Sequence, residues 1–117
     1  MPFMPTDILG DVEKVLRNAR TGKGTEPAFL TAFQILEALP EQLRDQLIAE
    51  RTRGGKGAGV TYAAPSVVSD AAEMIPGIEI TYLDTQNVKI EVAGVMITPS
   101  YQLCGLYRLP SRRPQSV

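Results

Sequence analysis

The chain has no histidine and a single cysteine, Cys104, in 117 residues. Metal centres, catalytic triads and neutral-pH acid/base pairs are mostly built from those two side chains. Within one chain, a His/Cys zinc site, a thiol–imidazole pair, a Ser–His–Asp relay and a disulfide framework are all excluded. Carboxylate, lysine, arginine and tyrosine chemistry remains, or no chemistry at all. No apolar run approaches the roughly 18 residues that span a bilayer. Met1-Pro2-Phe3-Met4-Pro5 carries no basic stretch ahead of an apolar one, so no signal peptide is expected. A lone thiol fits a reducing compartment, and the expectation is a cytoplasmic protein. With a formal charge of −1, no bulk electrostatic pull toward nucleic acid or an anionic membrane is expected.

What is present reads as one domain, residues 1–109, followed by a polar, proline-punctuated tail over 110–117. Helical periodicity dominates the first two thirds. Ile8, Leu9, Val12, Val15, Leu16 and Ala19 share one helix face, with Thr6 as the expected N-cap and Gly22 as the stop. Gly10 costs this helix about 1 kcal/mol relative to alanine. A second helix is expected from Thr25-Glu26-Pro27, where threonine caps and proline suits the first turn, with Phe29, Leu30, Phe33, Leu36 and Leu39 inward. Pro40 ends it and opens a third, with Leu43, Leu47 and Ile48 inward and Glu41, Gln42, Arg44 and Asp45 in water. A glycine-rich break over 51–59 leads to a short fourth helix from Pro65 or Ser66, burying Val67, Val68, Ala71, Ala72 and Ile75 and stopped by Pro76-Gly77.

After Gly77 the period falls from 3.6 to 2. Ile78, Ile80 and Tyr82 alternate with Glu79 and Thr81, and Val88, Ile90 and Val92 with Lys89 and Glu91. Asp84 to Asn87 is turn material, and Gly94 suits the left-handed position of a tight, bulged hairpin. Segments 95–98 and 101–109 read as two more strands. The expected fold class is α+β, with three to four helices followed by a three- or four-stranded antiparallel sheet.

Glycine and basic residues alternate in the 51–59 break, which invites comparison with phosphate loops. A Walker loop needs glycine five residues before its Gly-Lys pair; Glu50 stands there before Gly55-Lys56, and Arg17 before Gly22-Lys23. The dinucleotide pattern fails as well, because Tyr62 takes the place of the third glycine. Arg51, Arg53 and Lys56, with Arg17, Arg20 and Lys23, are the candidate contacts for an anion or nucleic acid. Lys14, Arg17, Arg20 and Lys23 step by three, and cations there also complement the end of the first helix.

From Phe29 to Val92 the order is helix, proline turn, helix, loop, helix, then two strands around Asp84 to Asn87. This order resembles a winged helix-turn-helix domain, with 67–75 in the recognition-helix slot and the Tyr82–Val88 turn as the wing. The resemblance implies duplex binding through that helix. Residues 67–74 carry Asp70 and Glu73 and no Arg, Lys, Asn or Gln, so a domain of this type is expected to pair with protein instead of reading DNA by that helix.

No catalytic, cofactor-binding or metal-ligating residue is assigned. Glu79 and Glu91 across a sheet face, and Asp70 and Glu73 one turn apart, are the carboxylate pairs available, and both read as solvated faces. The sheet's second face holds the other candidate surface. Leu83, Met96, Cys104 and Leu106 are apolar where a one-sided sheet shows polar residues. That surplus predicts a module working by protein–protein association, as a homodimer or with another protein, with nucleic-acid binding through the basic loops as the alternative.

Overall fold

A computed structural model describes residues 3–20, 26–52, 64–98 and 103–110, with the side chains of 50–52 and 103 outside that description. Helices precede most of the strands, in an α+β arrangement of four helices and two small antiparallel sheets.

Helix α1 (Pro5–Asn18) buries Ile8, Val12 and Leu16 on one stripe at i, i+4 and i+8. It begins two residues earlier than a Thr6 cap would allow. Met4 takes the cap position: its N–H donates to Asp7 Oδ2 at 2.8 Å, and the Asp7 N–H donates back to the Met4 carbonyl at 2.9 Å. Pro5 then lies where its missing N–H costs nothing. The Gly22 stop lies outside the described residues.

The second helix corrects the sequence expectation. Residues 29 and 30 are not helical: Leu30–Thr31 is a two-residue strand, β1, and α2 spans Ala32–Ala38. The capping signal in force is Thr31-Ala32-Phe33-Gln34. Thr31 Oγ1 accepts the Gln34 N–H at 3.1 Å, and Gln34 Oε1 accepts the Thr31 N–H at 2.8 Å. Two donors that a helix start leaves orphaned are satisfied reciprocally, which outweighs the Thr25-Glu26-Pro27 pattern upstream. Pro40 then separates α2 from α3 (Glu41–Thr52), and Leu47 is buried as its pattern predicts.

Helix α4 (Ala64–Glu73) buries Val67, Val68, Ala71 and Ala72 against α1, α2 and α3. Arg44, expected in water, reaches instead from α3 toward Glu37 on α2 (3.5 Å) and Asp45 (3.0 Å). Asp45, with Glu37 and Glu41, raises the Arg44 pKa and keeps the guanidinium charged.

Strands β2 (Glu79–Asp84), β3 (Ile90–Val92), β4 (Val95–Ile97) and β5 (Leu103–Arg108) follow the period-2 pattern. They do not form one meander. The three-stranded sheet runs β1-β5-β2, and β3 and β4 pair separately. In the hairpin, Val92 faces Val95 and the two loop residues, Ala93 and Gly94, have φ of 52° and 82°. Both are left-handed, so this is a two-residue turn without the expected bulge. Glu37 Oε1 accepts the Ala93 N–H at 2.6 Å, which ties the hairpin to α2. The turn after β2 closes through the Val88 N–H to the Thr85 carbonyl (3.0 Å), with Asn87 left-handed at φ 66°. It redirects the chain without pairing β2 to β3, so no wing-like hairpin forms there.

Candidate functional site

Four surfaces carry chemistry, and the fold distributes the sequence candidates among them. The basic residues are the first. Arg17 is held by Glu13 one turn earlier at 2.5 Å. Arg108 pairs with Glu79 across the β2–β5 ladder, its Nε donating to Glu79 Oε1 at 2.6 Å, and stacks 4.5 Å from the centroid of Phe29. Among the described residues, the Arg20 guanidinium bonds the Ala19 carbonyl alone, at 3.1 Å. Lys23, Arg53 and Lys56 lie outside the described residues, as does the Arg51 side chain.

The second surface is the three-stranded sheet. Leu83 faces Cys104 in register, and Leu106 lies two residues along on the same face, opposite Thr31. The chain itself covers much of this face: Cys104 is buried, and Leu83 and Leu106 are half-buried. Met96 is not part of it. It stands on the β3–β4 hairpin opposite Glu91 and is 60% exposed.

The other face reverses an expectation. Ile80 and Tyr82, read as inward, are 42% and 67% exposed. They share a face with Tyr107, their ladder neighbour on β5, over which α4 lies. The helix meets the sheet at Tyr107 of the central strand and leaves Ile80 and Tyr82 of the outer strand β2 exposed among the described residues. The outer edge of β2 pairs with nothing among the described residues. Glu79 and Glu91 do not face one another either, since they stand in different sheets opposite Arg108 and Met96.

The third surface is a cavity of about 160 Å³ under α4, lined by Ala32, Phe33, Pro65, Ser66, Ser69, Cys104, Gly105 and Tyr107. Ser69 Oγ and Tyr107 OH are hydrogen-bonded, and Tyr107 OH donates to Glu73 Oε2 at 3.3 Å. One phenolic proton serves the carboxylate, which leaves Ser69 to donate to the phenol oxygen. Burial pushes the Tyr107 phenol up against an opposing pull from Ser69, and the Glu73 charge raises it further. Burial pushes the Cys104 thiol up as well. Both groups hold their protons at neutral pH, so Cys104 is not an activated thiolate. Asp70 stays in water, one turn from Glu73. Among the described residues, no group of three or more His, Cys, Asp or Glu is placed to hold a metal ion, and no helix is long and apolar enough to cross a membrane.

The fourth surface was not visible in the sequence. An open groove of about 550 Å³ runs between the second half of α1 and the β1–α2 segment. Its walls are Val15, Ala19, Ala28, Leu30, Ala38 and Pro40, and its polar rim is Asp11, Lys14, Asn18, Arg20 and Gln34. At about 100° per residue, positions 11, 14, 15 and 18 of α1 fall on one side, flanking the buried 8-12-16 stripe with Val15 next to it. Arg17 falls outside that arc and pairs with Glu13. The far wall is brought in where Arg20 and Pro27 meet as an antiparallel bridge and the Ala28 N–H reaches the Ala19 carbonyl at 3.1 Å. The only sequence trace of the site was the three-residue cation spacing, which helix-end electrostatics already accounted for. No protein-family model, no curated protein and no solved structure matches this chain.

Proposed function

We propose that this protein is a non-catalytic binding module that acts by protein–protein association, with a second copy of itself as the partner through strand β2. The observation that carries the reading is the outer edge of β2, which pairs with nothing among the described residues, with Ile80 and Tyr82 exposed beside it. Natural sheets blunt such edges with lysine, proline or a bulge. Between Glu79 and Asp84 this strand has only Ile80, Thr81, Tyr82 and Leu83.

Charge selects the register of self-pairing. An antiparallel pair centred between Thr81 and Tyr82 sets Glu79 against Asp84 of the other copy, and like charges directly opposite are destabilising. Centring the two-fold axis on Tyr82 removes the conflict. Tyr82 then meets Tyr82, Thr81 meets Leu83, and Asp84 meets Ile80. The two sheets join into one of six strands, and the exposed apolar side chains form a strip between two α4 helices. Such a contact is isologous, the commonest way for soluble chains to associate.

Sedimentation equilibrium tests the reading on the full chain. The unaltered protein and Tyr82→Phe are expected to show the mass of two chains at high micromolar concentration. Tyr82→Lys, which places a charge on each side of the axis, is expected to sediment as one chain. A single-chain mass for the unaltered protein across that range, or a dimer untouched by Tyr82→Lys, refutes it.

A further inference from the structure

We propose that the groove between α1 and the β1–α2 segment binds a small amphipathic monoanion: an apolar body with one carboxylate. The site lies away from β2 and is independent of association there.

Three observations carry the inference. The volume of about 550 Å³ falls within the range of small-molecule clefts, and the walls are aliphatic, built from Val15, Leu30 and the small side chains around them. Two cations, Lys14 and Arg20, stand on its rim. Among the described residues, Lys14 has no ion pair, and Arg20 has only the neutral Ala19 carbonyl. Arg17, Arg44 and Arg108 are each paired to a carboxylate, whereas of the described cations with no such pair Lys14 and Arg20 share this rim and Lys89 stands apart beside β3. The third observation is the orientation of Gln34. Its Oε1 is committed to the Thr31 N–H, so the side chain can turn only its NH₂ toward an anion.

Charge along the groove also sets a limit on the ligand. Asp11 lies on the same rim about 10 Å before Asn18 along the helix axis, from a rise of 1.5 Å per residue. An anionic head is favoured at the Arg20 end and a second negative charge repelled at the Asp11 end. Arginine's planar fork matches a carboxylate, while Lys14 adds a point charge. The groove therefore takes a monocarboxylate and discriminates against both its neutral and its dianionic relatives.

The test titrates the full chain with octanoate, octanol and suberate and follows backbone amide shifts. Octanoate is expected to move the amides of Lys14 to Ala19, Ala28 to Leu30 and Gln34, leaving those of β2 in place. It is expected to bind about five- to tenfold more tightly than octanol or suberate, the range set by one exposed, charge-assisted contact. Arg20→Gln, at an exposed position, should remove about that factor for octanoate and leave octanol unchanged. Absence of shifts in the groove, equal binding of octanol, or preference for suberate overturns the proposal. So does an Arg20→Gln protein that binds octanoate as the unaltered chain does.

Discussion

Gly105 is a glycine by necessity of space, and replacing it measures how firmly Tyr107 is held. Its backbone is not left-handed, so alanine meets no φ penalty there. An added Cβ would stand 2.7 Å from Tyr107 Oη and 3.0 Å from Cζ. Carbon contacts relax near 3.5–4.0 Å, so the ring has to withdraw by roughly 0.7 Å or more. Overpacking of this kind costs about 1–3 kcal/mol. The withdrawal also loosens the bonds to Ser69 and Glu73, each worth about 1 kcal/mol net. Gly105→Ala should therefore destabilise by about 3 kcal/mol in urea titration. The reasoning has an internal control in Tyr107→Leu, whose side chain does not reach back over Gly105. In that background Gly105→Ala should cost nothing, or stabilise by up to about 1 kcal/mol through a stiffer unfolded chain. The double-mutant cycle should yield a coupling of at least about 2 kcal/mol. An equal cost in both backgrounds, or a neutral Gly105→Ala in the unaltered chain, would show that the ring does not lie where the argument needs it.

Thr31→Ala should lose about 1 kcal/mol by removing the acceptor that starts α2, with chemical denaturation as the readout. Gly10→Ala should gain up to about 1 kcal/mol, because Gly10 is exposed in the middle of α1 with open space where its Cβ would be; a loss in the same titration contradicts it. Stability should fall in alkali. The folded state holds the Cys104 and Tyr107 protons more tightly than the unfolded chain, so their contribution is complete below the ordinary thiol and phenol values of 9.0 and 10.0, begins to fall there, and is lost as pH rises through the raised folded-state values. Thermal melts against pH should show the onset of this decline moving from the thiol to the phenol range in Cys104→Ala, and an unchanged onset would exclude the thiol as its source.

Helical periodicity located α1, α3 and α4 because each buries a continuous stripe, and Pro40 and Gly77 punctuate the chain as their backbone geometry requires. The α+β class followed from the change of period after Gly77. The start of α2 was misplaced because two capping patterns lie six residues apart, and sequence does not say which is reciprocated. Strand β1 was not legible at all: two residues become a strand only because Tyr107 and Leu106, more than 70 positions on, arrive beside them. Alternation in β2 gave its two faces but not which one would lie toward α4, and that helix meets the sheet at Tyr107 of β5. The groove escaped for the same reason. Its walls belong to segments brought together by the Ala28–Ala19 bond and the Arg20–Pro27 bridge, and its cations were already explained by the end of α1.

Amide hydrogen exchange of strand β2, followed as the protein is diluted, tests self-association most directly. The edge amides between Glu79 and Asp84 that do not bond β5 should be protected at high concentration and should lose that protection on dilution, while the Tyr82→Lys protein exchanges them rapidly throughout. Fast exchange of those amides at every concentration of the unaltered chain would contradict the account.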